Sequence, residues 1–139
     1  MATFLLDTTT LTLLDRQHPL VVAALQSHVN DVVAITAINV EEMLSGWYQR
    51  LRSARTNTQR SLAYRTLAKA TTFLARFPIV PPSEAALDEA DRLLRLRLNV
   101  GRMDLTIAAI ALEVSAVVVT NNLRDFSRVP GLAFVDWSV

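Results

Sequence analysis

Residues 101–126, GRMDLTIAAIALEVSAVVVTNNLRDF, decide how the rest of the chain is arranged. They read as a short loop, a helix from Asp104 to Glu113, a buried strand from Ala116 to Val119 and a polar turn ending on Asp125 and Phe126. Leu105 to Leu112 carries no charge and has no wet face, so the helix packs on both sides and holds the acid at its N-terminus in a rigid setting. Asp104 has an ordinary structural role open to it as a helix N-cap. Asp125 has one as a turn residue. Their chemistry depends on whether the chain delivers further carboxylates to the same edge.

Outward from this stretch, strands and helices alternate. Thr3 to Leu6 is short, apolar and β-prone, the pattern of a strand covered on both faces, and Asp7 stands at its C-terminal end. Leu11, Leu13 and Leu14 mark a helix that Pro19 punctuates, and Leu20 to His28 forms another. Asp31 to Thr36 is a second buried strand, after which Asn39 opens the helix NVEEMLSGWYQRLRS. Glu42 follows Asn39 at capping-box spacing, its ordinary role. Its other role is to reach the sheet edge where Asp7 ends the first strand. A long helix spans Thr56 to Phe77, Ile79 and Val80 make a brief strand, and Ser83 caps a helix from Glu84 to Leu98 with Leu87, Leu94 and Leu98 on its apolar side. Leu132 to Val135 is a closing strand. This order predicts one domain over residues 1–139, a three-layer α/β/α sandwich around a short, mostly parallel sheet.

Composition narrows the chemistry. The chain has 139 residues and no cysteine, which excludes disulfides, thiolate metal sites and cysteine nucleophiles and suits a reducing cytoplasm. The first apolar run stops at Asp7 without a basic leader, and no run approaches the roughly 20 residues that span a bilayer, so no secretion signal and no membrane partner are expected. A net charge of +1 means that any nucleic acid is met by a local patch and not by a global field. The bases are thirteen arginines and one lysine, Lys69. Arginine's planar fork matches phosphate oxygens, although GC-rich codon usage yields the same excess. Arg50, Arg52, Arg55, Arg60 and Arg65 cluster, and a solvated helix face is their ordinary role. His18 and His28 lie near helix ends, far in sequence from other ligand types.

In open parallel sheets, ligands bind beyond the carboxyl ends of the strands. Asp7, Glu42, Asp104 and Asp125 all fall on that edge. Carboxylates so gathered raise one another's pKa values unless a divalent cation is shared among them. Oxygen-only donors select a hard cation, Mg²⁺ or Mn²⁺, and such a cluster serves phosphoryl chemistry.

The motifs also carry a resemblance. LLDTTTLTLLDR resembles the opening of PIN-domain ribonucleases, and AITAINVEEMLSG their second motif, with Glu42 in the acidic position. MDLTIAAIAL resembles the third, with Asp104, and VVVTNNLRDFSRVPGL the fourth. Length, motif order and the RVPGL run are similar to the VapC toxins of bacterial toxin–antitoxin pairs. The resemblance implies a Mg²⁺- or Mn²⁺-dependent endoribonuclease whose metal is held by Asp7, Glu42, Asp104 and Asp125. It implies a metal-activated water as nucleophile and products with a 5′-phosphate and a 3′-hydroxyl. The implied partners are an RNA substrate, a cognate antitoxin and a second copy of the chain as a homodimer, in the cytoplasm. Thr9 stands where many members have Asn or Ser, and its hydroxyl can still hydrogen-bond the metal site. Asn122 and Asp125 share the fourth acidic position; Asp125 is taken as the carboxylate, with Thr120 and Asn122 beside it. Trp47 and Tyr48 point about 100° apart on a helix, so at least one is exposed, and with Met43, Leu11, Leu14 and Leu44 they are expected to mark an antitoxin groove.

Other classes fit less well. A haloacid-dehalogenase-type phosphatase wants a second Asp where Thr9 stands. A degenerate PIN domain, kept as a non-catalytic protein- or RNA-binding module, is the alternative function, but all four acidic positions are filled.

Overall fold

Leu5 and Leu6 are both fully buried. Successive strand residues point to opposite faces, so the strand that carries them must be covered on both sides. The computed structural model describes residues 1–139 and meets that demand with five parallel strands between two helical layers. In chain order these are β1 (Thr3–Leu6), α1 (Thr8–Asp15), α2 (Pro19–Ser27), β2 (Val32–Thr36), α3 (Ala37–Ser53), α4 (Asn57–Leu74) and β3 (Ile79–Val80). Then follow α5 (Glu84–Arg95), α6 (Arg102–Val114), β4 (Val117–Val119), α7 (Leu123–Phe126) and β5 (Phe134–Val135). The sheet is wholly parallel where a mostly parallel one was expected.

Alternation along the strands sorts the core in two. Leu5, Ala34 and Val118 pack with α5, α6 and Phe126. Leu6, Ile35 and Val119 pack with Leu11, Leu14, Val21, Phe73, Leu74 and Trp137 on the other side. The strand order is β3-β2-β1-β4-β5. The chain therefore winds outward from β1 to β3, crosses back over the sheet and resumes at β4. Right-handed crossovers in opposite directions put the intervening helices on opposite faces. The winding reverses between β1 and β4, whose carboxyl ends border the crevice where such sheets take ligands.

Three local readings shift, each for a capping reason. The helix expected to open at Asn39 begins at Ala37, capped by the Thr36 hydroxyl, and Asn39 answers from the third position in a complete capping box. Glu42 is thereby released from the cap. Likewise α6 begins at Arg102 behind Gly101, which offers no side-chain cap, so Asp104 is the third helical residue and caps nothing. The polar turn at 122–126 is a short helix, α7, capped by Asn122. In α5 the buried stripe is Ala86, Ala90 and Leu93, while Leu87 is 45% exposed, contrary to its expected place on the apolar side. The small alanines let α5 lie close against the alanine-rich α6.

Asn39 is fully buried and accepts from both the backbone N–H and the hydroxyl of Thr36, at 2.8 Å each. Asn39→Ala removes the acceptor and strands these donors, so urea unfolding should show a loss of about 1–3 kcal/mol. A change within about 0.5 kcal/mol, the range of ordinary surface substitutions, would show that the cap is not holding α3.

Candidate active site

Asp7 is the first residue past β1 and is buried. Its Oδ1 accepts the Thr10 backbone N–H at 2.8 Å as the N-cap of α1, and its own backbone N–H donates to the Val119 carbonyl at 3.0 Å. The Thr10 hydroxyl donates to that same carbonyl at 3.0 Å. Asp7 is thus fixed between the ends of β1 and β4, with Oδ2 free of any hydrogen bond.

Glu42 approaches from α3. Its Oε1 accepts the Thr8 hydroxyl at 3.0 Å, and that hydroxyl accepts from Asn39 Nδ2 at 3.1 Å. A relay from Thr36 through Asn39 and Thr8 to Glu42 therefore ties the starts of α3 and α1 together. Burial pushes the Glu42 carboxyl above the ordinary range; the Thr8 hydrogen bond opposes this, and the charges of Asp7 and Glu41 add to it.

Asp104 enters from the other helical layer. It forms no hydrogen bond, and its pKa is pushed up to about 6, first by burial and then by Glu42, Asp7 and Asp125. That one carboxyl feels all three of the others. It sits in the first turn of α6, whose N-terminal dipole favours its ionised form, yet burial and like charge prevail.

Asp125 is held by its surroundings. Its Oδ2 accepts from Asn122 Nδ2 at 3.0 Å, and the Asn122 backbone N–H donates to the buried Thr120 hydroxyl at 2.8 Å. Arg128 Nη1 stands 3.8 Å from Asp125 Oδ1 and donates to the Asn99 carbonyl at 3.2 Å. Arg128 so joins Asp125 to the loop that leads into α6. Asn122 both caps α7 and donates to Asp125, so the two residues act together at this position.

Asp7, Glu42, Asp104 and Asp125 come to one edge, with Thr120 and Asn122 supporting the last. The hydroxyl expected from Thr9 comes from Thr8 instead: Thr9 is exposed and its side chain bonds nothing, because one step along a helix turns a residue about 100° away from its neighbour. Thr8 and Arg128 went unread in the sequence, and Asn39 was read only as the residue that opens a helix. The Thr36-x-x-Asn39 spacing carries the signal for the capping box that the structure shows, upstream of the Asn39–Glu42 pair expected from the sequence. His18 caps α2 and the ring of His28 stacks on Trp137 at 4.8 Å, which accounts for both histidines. The donors at the edge are carboxylate oxygens alone, a set that suits a hard divalent cation. No three acids stand at the spacing of a common ligand sphere, so gathering a cation would need side-chain rotation and bridging waters.

The chain and its fold have relatives. Residues 4–132 match the PIN domain family. The chain is 30% identical over 142 residues to the tRNA(fMet)-specific endonuclease VapC of Salmonella typhimurium, covering 99% of each. The structure of DNA-bound VapBC from Salmonella typhimurium is similar with a TM-score of 0.77 at 26% identity, over 99% of each chain. VapBC2 from Rickettsia felis, bound to a promoter DNA fragment, gives 0.75 at 26% identity over 97% of this chain and 98% of that one. A match that takes in every strand but the last, with whole-length likeness in both sequence and fold, admits one assignment: the chain belongs to the PIN-domain family, among the VapC ribonucleases.

Proposed function

We propose that this protein is a divalent-metal-dependent endoribonuclease, the toxin of a toxin–antitoxin pair, in which Asp7, Glu42, Asp104 and Asp125 hold the metal and form the catalytic centre. The observation that carries this reading is Asp104, a half-buried carboxyl with no hydrogen bond and three acidic neighbours. Carboxyls perturbed by burial together with specific charged neighbours concentrate at functional sites. The filled acidic positions favour catalysis over a non-catalytic binding module.

Bound there, Mg²⁺ or Mn²⁺ would lower the pKa of a water and neutralise charge on the scissile phosphate. The chain's own contribution is placement. Asp7 is locked by its cap on α1, and Thr8 and Asn122 aim the carboxylates of Glu42 and Asp125. Asp104 is left unbonded, able to turn toward a cation. Removing a single charge from such a set weakens metal binding and leaves the fold in place. Asp7→Asn and Asp104→Asn should each abolish Mn²⁺-dependent cleavage of an RNA panel that includes transfer RNA, since the Salmonella relative is named for one. Cleavage by the wild type that persists undiminished in EDTA would sink the reading.

The raised Asp104 pKa sets a second expectation. A carboxyl whose folded pKa lies above its unfolded value holds its full stability below the unfolded pKa, here 3.8, and loses it as pH rises through about 6. Asp104→Asn should therefore melt higher than wild type at pH 8 without metal, and the gap should close toward pH 4. Added Mg²⁺ should raise the wild-type melting temperature and leave the variant nearly unmoved. A variant that melts below wild type at pH 8 would assign Asp104 to the fold alone.

The proposed protein partner is a cognate antitoxin, with a second copy of the chain as the competing occupant of the same surface. Leu11 and Leu14, expected on that surface, are buried in the core. In their place, Trp47, Ala54, Leu62 and Ala63 line a groove of about 360 Å³ between α3 and α4. Leu62 is 60% exposed and Tyr48 43%. Leu62→Asp should abolish co-purification with the tagged product of the neighbouring antitoxin gene while the chain stays folded. A monomeric variant that still captures that partner would assign the groove to the homodimer.

A further inference from the structure

Resting on the ribonuclease reading, we infer that a polar trough between α1 and α3 carries the RNA strand away from the acidic edge, with Arg16 and Arg50 binding a phosphate beside the scissile one. The two helices both start at the carboxyl edge of the sheet and run side by side from it. Two stripes with four-residue spacing face the gap between them: Thr8, Thr12 and Arg16 on the α1 side, Glu42, Gly46 and Arg50 on the α3 side. Residues so spaced share one helix face. At the inner end the stripes meet where the Thr8 hydroxyl bonds Glu42. Eight residues further along each, about 12 Å of helix, each ends in an arginine.

The trough between them has a volume of about 470 Å³, and its only apolar lining is Met43 and Trp47. Gly46 keeps its middle open: a Cβ built there meets nothing within 4 Å. Neither arginine is in an ion pair; those of the protein are Arg92–Glu89, Arg102–Asp91 and Arg128–Asp125. Arg50 lies over the ring of Trp47 at 4.5 Å, which holds its guanidinium at the trough wall. Asp15, exposed beside Arg16, is the only acid of the trough besides Glu42. A metal-dependent nuclease needs its phosphates drawn to an edge that is itself negative, and cations set back from that edge supply the attraction without competing for the metal site. The polar lining fits a phosphate strand better than a protein side chain, whereas the neighbouring α3–α4 groove, with its exposed Leu62, fits the reverse.

The test uses a fluorescein-labelled single-stranded RNA and the full chain carrying Asp104→Asn, with binding read by anisotropy across a salt series. Adding Arg16→Ala and Arg50→Ala should weaken binding at least tenfold and lower the salt slope by about 0.7, the amount for one single-strand phosphate that is no longer neutralised. Gly46→Leu should also weaken binding, by filling the trough without touching a charge. Its melting temperature should not fall, since leucine favours a helix over glycine. In the chain with Asp104 intact, these changes should raise KM and leave kcat at saturating RNA within twofold. Unchanged RNA affinity and slope in both sets, with wild-type cleavage intact, would overturn the trough and spare the ribonuclease. If the same variants lose the antitoxin complex and keep RNA affinity, the trough is a protein-docking surface and the inference falls. A wild-type chain that neither binds nor cleaves RNA with Mn²⁺ would overturn the ribonuclease reading and this inference with it.

Discussion

The pairing of β1 with β4 is the interaction on which the acidic edge depends. Leu6 is in register with Val119, and the next residue, Asp7, continues the ladder by donating to the Val119 carbonyl. Because the winding reverses at this pair, no helix crosses between the two strand ends, and the crevice stays open. Glu42 then arrives from the layer that follows β2, and Asp104 from the opposite layer that precedes β4. Any other strand order would send these acids to different places along the sheet.

That convergence opposes stability. Asp104 is a half-buried carboxyl with three acidic neighbours and no cation beside it, so ionising it costs the fold stability. The two hydrophobic clusters meet this cost from either side. Leu5, Val118 and Ile110 in one and Leu6, Val119 and Ile35 in the other are fully or almost fully buried, and they hold the strand ends rigid while the charges repel. Rigid walls around a repulsive cluster are the arrangement a multivalent cation relieves.

The acids differ in how they are held. Glu42 is reached through Thr36, Asn39 and Thr8, and Asp125 through Thr120, Asn122 and Arg128, so each is aimed by a local polar relay. Asp104 has none. Three of the acids are thus oriented by hydrogen bonds, and the fourth keeps its rotational freedom. Arg128 has a further effect, since it reaches both Asp125 and the loop before α6 and thereby couples the acid that is held to the element carrying the acid that is not.

Strand identity, the parallel sheet and the four acids were legible in the sequence because each rests on local chemistry: short apolar runs that end in an acid, and caps before apolar helices. Even the helix starts were legible to within a turn, and the misreadings at Asn39 and Asp104 share one cause. A Thr or a Gly three residues upstream took the cap, which left the polar residue behind it for tertiary use. Thr8 supplies the hydroxyl expected from Thr9, because Thr8, Thr9 and Thr10 are identical in sequence and their roles follow from a helix phase set by the Asp7 cap. The sequence could not show which apolar residues face solvent. Leu11 and Leu14 disappear beneath α1, and Leu62 stays out, because the depth of a side chain depends on which neighbour lies over it. The pairing of Arg16 with Arg50 across a gap belongs to the same class: within each helix the four-residue spacing is written in the sequence, but only the side-by-side packing of α1 and α3 turns two spacings into one trough.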